Sequence, residues 1–192
     1  AQAQWVGYLS TTGVYGDRGG EWVDETSELT PTAERSQRRV MAEGTWFVLW
    51  REASVPVHIF RLAGIYGPER SPLDQIRNGT ARRINVPGHT FSRIHVDDIV
   101  AVLRASMAAP SPGSVYNVCD DEPAASADVT TFGCELLGVE PPPLVEFADA
   151  ELSEMAQSFY RDNKRVRNTK IKSELGVDLK YANYRAGLAS LV

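Results

Sequence analysis

Apolar residues fall into short blocks along this chain, and the spacing within the blocks changes from one to the next. WVGYLS (5–10) is a compact apolar run of strand length that enters a Thr/Gly turn. The following stretch, YGDRGGEWVDETSELTP (15–31), is rich in Gly, Asp and Glu and reads as a surface loop. Val40, Gly44, Phe47 and Val48 then recur at helical spacing, which predicts a helix from Thr32 to about Ala53. Thr30 and Thr32 are its expected caps, Pro31 suits a first turn, and Glu34 complements the helix dipole. VPVHIFRLAGIYG (55–67) is an apolar, β-branched run of the kind found in a strand covered on both faces. Strand, long helix and buried strand make a βαβ unit, which implies a parallel sheet with a right-handed crossover.

From Pro68 to Gly79 the polar chain leaves the sheet, and residues 82–96 read as two short extended pieces around Pro87-Gly88. Asp97 is the expected cap of a helix over roughly 98–108, with Ile99, Val102, Leu103 and Met107 on one face. SVYNVC (114–119) is another short buried strand. Helices are predicted over 127–138, 149–158, 168–175 (closed by Gly176) and 184–191. The pattern is α/β, with a parallel-sheet portion over 1–67 and 94–119 and a more irregular remainder over 68–93 and 120–192.

Composition narrows the function class. A hydrophobic fraction of 43% with 23% charged residues is ordinary for a globular protein, and 192 residues suffice for one good-sized domain, or one domain and a small annex. The net charge of -5 argues against a nucleic-acid partner, which needs a clustered basic stripe. No apolar run reaches the ~20 residues of a membrane span, and AQAQWVGYLS lacks the basic start and apolar length of a signal peptide. Cys119 and Cys134 have neither metal-ligand spacing nor disulfide-scaffold density, so they read as small core residues in a reducing, cytoplasmic compartment.

Ligands of open parallel sheets bind beyond the carboxyl ends of the strands. That rule selects STTGVYG, LAGIYGP and the turn at Asp120-Asp121. Ser10, Thr11 and Thr12 place three hydroxyls at a strand end, where they either meet a developing oxyanion or a sugar hydroxyl, or satisfy turn backbone groups. Tyr15 has a core-packing reading as well. His58 and His95 read as structural histidines, His89 sits in a loop without ligand partners, and no metal site is expected.

Taken in order, YLSTTGVYGD, the helix at PTAERSQRRVMAE, FRLAGIYGPER, FSRIHVDDIVAVL and SVYNVCDDEP resemble the extended short-chain dehydrogenases/reductases. Within these the series is similar to the NAD-dependent epimerase/dehydratase family acting on nucleotide sugars. KRVRNTKIKSELGV (164–177) resembles that family's tail motif. The resemblance implies a partial Rossmann-like parallel sheet, the C-terminal half of a doubly wound sheet, over 1–67 and 94–119. A smaller mixed α/β substrate-binding region would occupy 68–93 and 120–192. It implies NAD or NADP as cofactor, a small-molecule substrate such as a nucleotide sugar, and a homodimer through the 32–53 helix. Composition and the apolar pattern leave nucleic acid and membrane out of the expected partners. The family's GxxGxxG strand–turn–helix does not occur in these residues; about 90 residues in three βα units are expected to precede them.

Family members carry Tyr-x-x-x-Lys on the helix, followed four residues later by Glu. Alignment on Glu43 puts Arg35 at the Tyr position and Arg39 at the Lys position. Arg39 supplies positive charge but not ammonium geometry. Arg35 has no acceptor lone pair and is no general base. Thr11 stands where the family's catalytic Ser/Thr stands, so Thr11, Arg35 and Arg39 are the candidate catalytic positions. If the protein turns over, Tyr15, Asp17 or a water held by Thr11 are the candidate replacement acid/bases. By the same resemblance Ser10, Thr11, Arg39, Leu62 and Ala63 face the cofactor, and Thr12, Gly64 and Arg93 face the substrate. Gly64 replaces a common substrate-facing Asn. Arg93 is either a bidentate anion ligand or the partner of Asp97 or Asp98 in a surface ion pair. The basic run at 164–174 is most simply a solvated helix face, and Arg39 with Glu43 has the spacing of an i,i+4 surface pair. Two functions remain: an epimerase/dehydratase-like protein without the Tyr/Lys pair, or a nucleotide-binding sensor or interaction protein whose Arg35 and Arg39 contact phosphate or a partner.

Overall fold

A computed structural model describes residues 3–192. The chain runs through β1 (Val6–Thr11), a 3-10 turn (Thr12–Tyr15), β2 (Trp22–Val23), α1 (Glu34–Ala53), β3 (Val57–Leu62) and β4 (Gly64–Tyr66). It continues with α2 (Pro72–Arg77), β5 (Arg83–Asn85), β6 (Arg93–His95), α3 (Val96–Ala108) and β7 (Val115–Val118). The final part holds α4 (Ser126–Leu137), β8 (Leu144–Glu146), α5 (Glu154–Tyr160), β9 (Arg165–Val166), α6 (Thr169–Leu175) and α7 (Tyr184–Ala189).

The expected βαβ unit is present. β1 and β3 are parallel neighbours, with Val6 opposite Val57 and Thr11 opposite Leu62, and α1 connects them. β7 adds to the other side of β3, again parallel, so the sheet order is β1-β3-β7. Every residue of β3 is buried, as a strand covered on both faces requires. The run at 55–67 is nevertheless two strands. After Ala63 the chain leaves the sheet, and β4 pairs in parallel with β6 instead. Phe60, Leu62, Ile94, Val102, Tyr116 and Val118 form the main core. A smaller cluster of Leu73, Val129, Tyr184 and Leu188 packs α2, α4 and α7 together. Cys119 and Cys134 are free and buried.

Several local expectations are corrected. The helix begins at Glu34, and its N-cap Ala33 offers no side-chain bond. Thr30 Oγ1 donates to the Tyr15 carbonyl at 2.8 Å and Thr32 Oγ1 to Asp162 Oδ1 at 2.6 Å, so tertiary partners take both hydroxyls away from capping. The fully buried positions of α1 are Ser36 and Glu43, while Gly44 is exposed and Val48 is 43% exposed. Glu43 is no surface partner of Arg39: it accepts from Ser10 Oγ at 2.5 Å and pairs with Arg61 at 2.8 Å, beneath the helix. α3 starts at Val96 and is capped by His95, whose Nδ1 accepts from the Asp97 N–H at 3.1 Å. Asp98 is buried and accepts from the Lys180 and Tyr181 amides. The run at 164–174 is not one solvated face. Arg165 and Val166 pair with β2 as a strand, and α6 starts only at Thr169. Lys164 lies largely buried beside Asp162.

Among the described residues no helix is long and apolar enough to cross a membrane, and no group of His, Cys, Asp and Glu has the arrangement to hold a metal.

Candidate functional site

The carboxyl ends of β1 and β3 open into a cavity of about 1130 Å3. β1 ends at Thr11 because Thr11 caps the 3-10 turn that follows: its Oγ1 accepts from the Gly13 N–H at 3.1 Å. Ser10, Thr11 and Thr12 line the cavity from this turn, and Leu62, Ala63 and Gly64 line it from the end of β3. Arg35, Ser36 and Arg39 enter from α1, and Arg93 from β6. The structure thus brings these positions to one cavity wall.

Their partners differ in kind. Ser10 is 5% exposed and its hydroxyl is committed to Glu43, which ties the cavity floor to the Glu43–Arg61 ion pair. Thr11 accepts through Oγ1 and keeps its own O–H proton to donate. Arg39 Nη1 donates to the Leu9 carbonyl at 2.8 Å and lies 3.4 Å from the Tyr8 hydroxyl. Arg35 Nη2 donates to Ser158 Oγ at 3.2 Å, and its guanidinium carbon stands 4.3 Å from the centre of the Phe159 ring. Arg38, outside the cavity lining, pairs with Glu34 in solvent. Arg93 makes no ion pair with Asp97 or Asp98; its Nη1 donates to the Phe91 and Ala124 carbonyls, both at 2.9 Å. An added Cβ at Gly64 would come within 3.3 Å of the Ser92 carbonyl oxygen, so a larger residue crowds this edge.

Of the replacement acid/bases, Tyr15 and Asp17 lie outside the cavity wall. Tyr15 is fully buried, donates to Asn117 Oδ1 at 2.7 Å and accepts from Arg61 Nη1 at 2.9 Å. Burial pushes its phenol up to about 12, against the pull of Arg61. Asp17 accepts from the Gly19 and Asn163 amides, and these bonds hold its carboxyl below the ordinary value. The three histidines serve packing: His58 accepts from the Ser111 amide, His95 caps α3, and His89 packs against Phe91 and Tyr160.

Sequence reasoning misses Ser158, Phe159 and Asp162 and the place of Lys164, and it marks Asp120 only as part of a turn. Ser158 and Phe159 on α5 hold Arg35 from more than 120 positions away in the chain, and no local pattern marks them. Asp162 and Lys164 form a 3.6 Å ion pair in the cavity wall, with burial lowering the amine's pKa. Behind Arg93, Asp120 is 1% exposed with Oδ2 unpartnered, and burial pushes its carboxyl up to about 8.

No family model matches the chain. Protein YeeZ of Escherichia coli K12 is 29% identical over 175 residues, 91% of this chain and 57% of YeeZ. A dTDP-D-glucose 4,6-dehydratase of Dictyostelium discoideum is 27% identical over 141 residues, 64% of this chain and 32% of that protein. A solved structure of a functionally unknown conserved protein from Silicibacter pomeroyi is 60% identical with a TM-score of 0.94, over 98% of this chain and 66% of that one. The UDP-glucose 4-epimerase of Thermotoga maritima, solved with UDP-glucose, matches at 20% identity and a TM-score of 0.82, over 98% of this chain and 62% of that one. In sequence and in fold the chain resembles short-chain dehydrogenases/reductases. Nucleotide-sugar dehydratases and epimerases, some solved with NAD, are among its more distant relatives and fold neighbours, and it spans 57% of the length of YeeZ. The parallel sheet β1-β3-β7 matches the Rossmann-like sheet of these fold neighbours.

Proposed function

We propose that this chain is the nicotinamide- and substrate-facing part of an NAD(P)-binding protein related to nucleotide-sugar epimerases and dehydratases, with Arg35 and Arg39 in place of the Tyr/Lys pair. The observation that carries this reading is the convergence of β1, β3, α1 and β6 on one cavity at the carboxyl ends of the strands.

The residues present suit one end of a dinucleotide. Leu62, Ala63, Ile65 and Val166 supply apolar wall for a nicotinamide ring. A bound nicotinamide would supply hydride transfer. The chain's own contribution is positional and electrostatic. Thr11 donates to a substrate oxygen, and Arg93, anchored by two carbonyls, offers its remaining N–H groups to an anionic part of the substrate. Arg35 stays protonated and takes up no proton. Acid–base work therefore falls to a water held by Thr11 or to the cavity's titratable groups, of which Tyr66, Tyr160, Asp162 and Lys164 stand in the wall. A second reading, a nucleotide-binding sensor without turnover, is favoured by the guanidinium at the Tyr position.

Calorimetric titration with NAD(H) and NADP(H) tests both readings, and no binding to any form sinks them together. Cofactor turnover against a panel of nucleotide sugars then separates them. Turnover that Thr11→Ala leaves unchanged removes Thr11 from the mechanism.

A further inference from the structure

We propose that Arg35 and Arg39 form a clamp for a carboxylate on the substrate, so that the substrate is a hydroxylated carboxylic acid such as an acidic sugar. The proposal rests on the reading of the cavity as a substrate site and adds the chemical class of what enters it.

The two arginines are one helical turn apart on α1, which puts both side chains on one helix face. That face lines the cavity beside Thr11. Both guanidiniums are held by neutral groups: Arg35 by the Phe159 ring and Ser158, Arg39 by the Leu9 carbonyl. Among the described residues no carboxylate lies within ion-pair reach of either. The nearby acids have other partners. Glu34 pairs with Arg38, Asp162 with Lys164 and Thr32, and Asp74 with Ser71 and Arg77. Two positioned, unneutralised cations at a cavity wall, in a chain of net charge -5, concentrate an anionic ligand there.

Arg93, on a different element, β6, has Asp120 behind it but makes no ion pair among the described residues, and it suits the phosphate end of a substrate. A second cationic site at Thr11 then calls for a second anionic group, on the moiety remote from the phosphate. The planar guanidinium fork matches a planar carboxylate in two parallel hydrogen bonds. A neutral sugar would leave both cations without a counter-charge.

The test is titration of the full chain, without dinucleotide, with D-glucuronate, D-glucose and inorganic phosphate, followed by NMR or calorimetry. Glucuronate is expected to bind tighter than glucose by about tenfold or more, the scale of one charge-assisted hydrogen bond. Arg35→Gln and Arg39→Gln should each remove most of that preference. Arg38→Gln, one residue away but paired with Glu34 in solvent, should keep it. Arg35→Lys should restore only part of it, because the ammonium lacks the fork. Equal binding of glucuronate and glucose, phosphate binding in preference to glucuronate, no binding of glucuronate, or equal loss in the Arg38 variant would each overturn the clamp. A failure of NAD(P) binding would leave these outcomes untouched, so the two readings fail separately.

Discussion

Arg61 and Glu43 form an ion pair inside the protein, Nη2 to Oε2 at 2.8 Å, with only 5% and 3% of their side chains exposed. The pair joins strand β3 to helix α1, and its remaining hydrogen bonds run to Ser10 at the cavity and to Tyr15 in the core. Deleting one member strands a buried charge, so Glu43→Ala or Arg61→Ala should destabilise the fold by about 3–5 kcal/mol. The double replacement Glu43→Leu with Arg61→Met should lose less than either single change. Urea unfolding midpoints decide the matter: additive losses would show that the pair does not act as a unit.

Asp120 should make stability depend on pH. Burial raises its carboxyl from 3.8 to about 8, so the folded protein holds this proton more tightly than the unfolded chain. Its contribution is therefore complete below the ordinary carboxylate value and is lost as pH rises through about 8. Asp120→Asn should remove this decline, gaining stability relative to the parent at pH 8 but not at pH 3. Parallel melting curves that keep the same pH slope in the variant would contradict this.

Tyr15 and Thr11 should separate stability from ligand binding. Tyr15→Phe removes bonds to Asn117 and Arg61 in the core and should cost about 1–3 kcal/mol of stability while leaving NAD(P) or substrate affinity in place. Thr11→Ala should lower affinity or turnover, with a stability loss of only about 1 kcal/mol from the missing turn cap. Reversed outcomes would move the cavity's functional wall away from the β1 turn.

Two glycines should respond oppositely to alanine. Gly16 has φ +67, and a Cβ there would stand 1.8 Å from the Thr30 carbonyl oxygen; Gly16→Ala should destabilise by about 1–3 kcal/mol or more. Gly44 lies on the exposed side of α1 with no atom within 4 Å of an added Cβ. Gly44→Ala should stabilise by about 0.5–1 kcal/mol through helix propensity. Denaturation of the two variants side by side measures both signs.

Period and composition made much of the fold legible. β1, α1, β3, α3 and β7 fall within a few residues of where their apolar spacing places them, because a strand or helix that buries one surface must repeat with its own geometry. The spacing was misleading on α1. Its buried positions are Ser36 and Glu43, and a pattern that scores only apolar residues misses a glutamate whose charge Arg61 neutralises from another strand. Both threonines before α1 have the chemistry of a cap, yet each hydroxyl finds a partner across the chain.

The candidate site shows the same division. Motif order, the hydroxyls at the end of β1 and the arginines at positions 35 and 39 are legible in the chain before it folds, because they are local matters of residue type and spacing. Folding settles the rest: Arg35 rests on Phe159, Arg39 turns to the Leu9 carbonyl rather than to Glu43, and Lys164 and Asp162 join the same cavity wall. These contacts connect residues that are distant in the chain, and which partner each charge finds depends on the packing that brings those segments together.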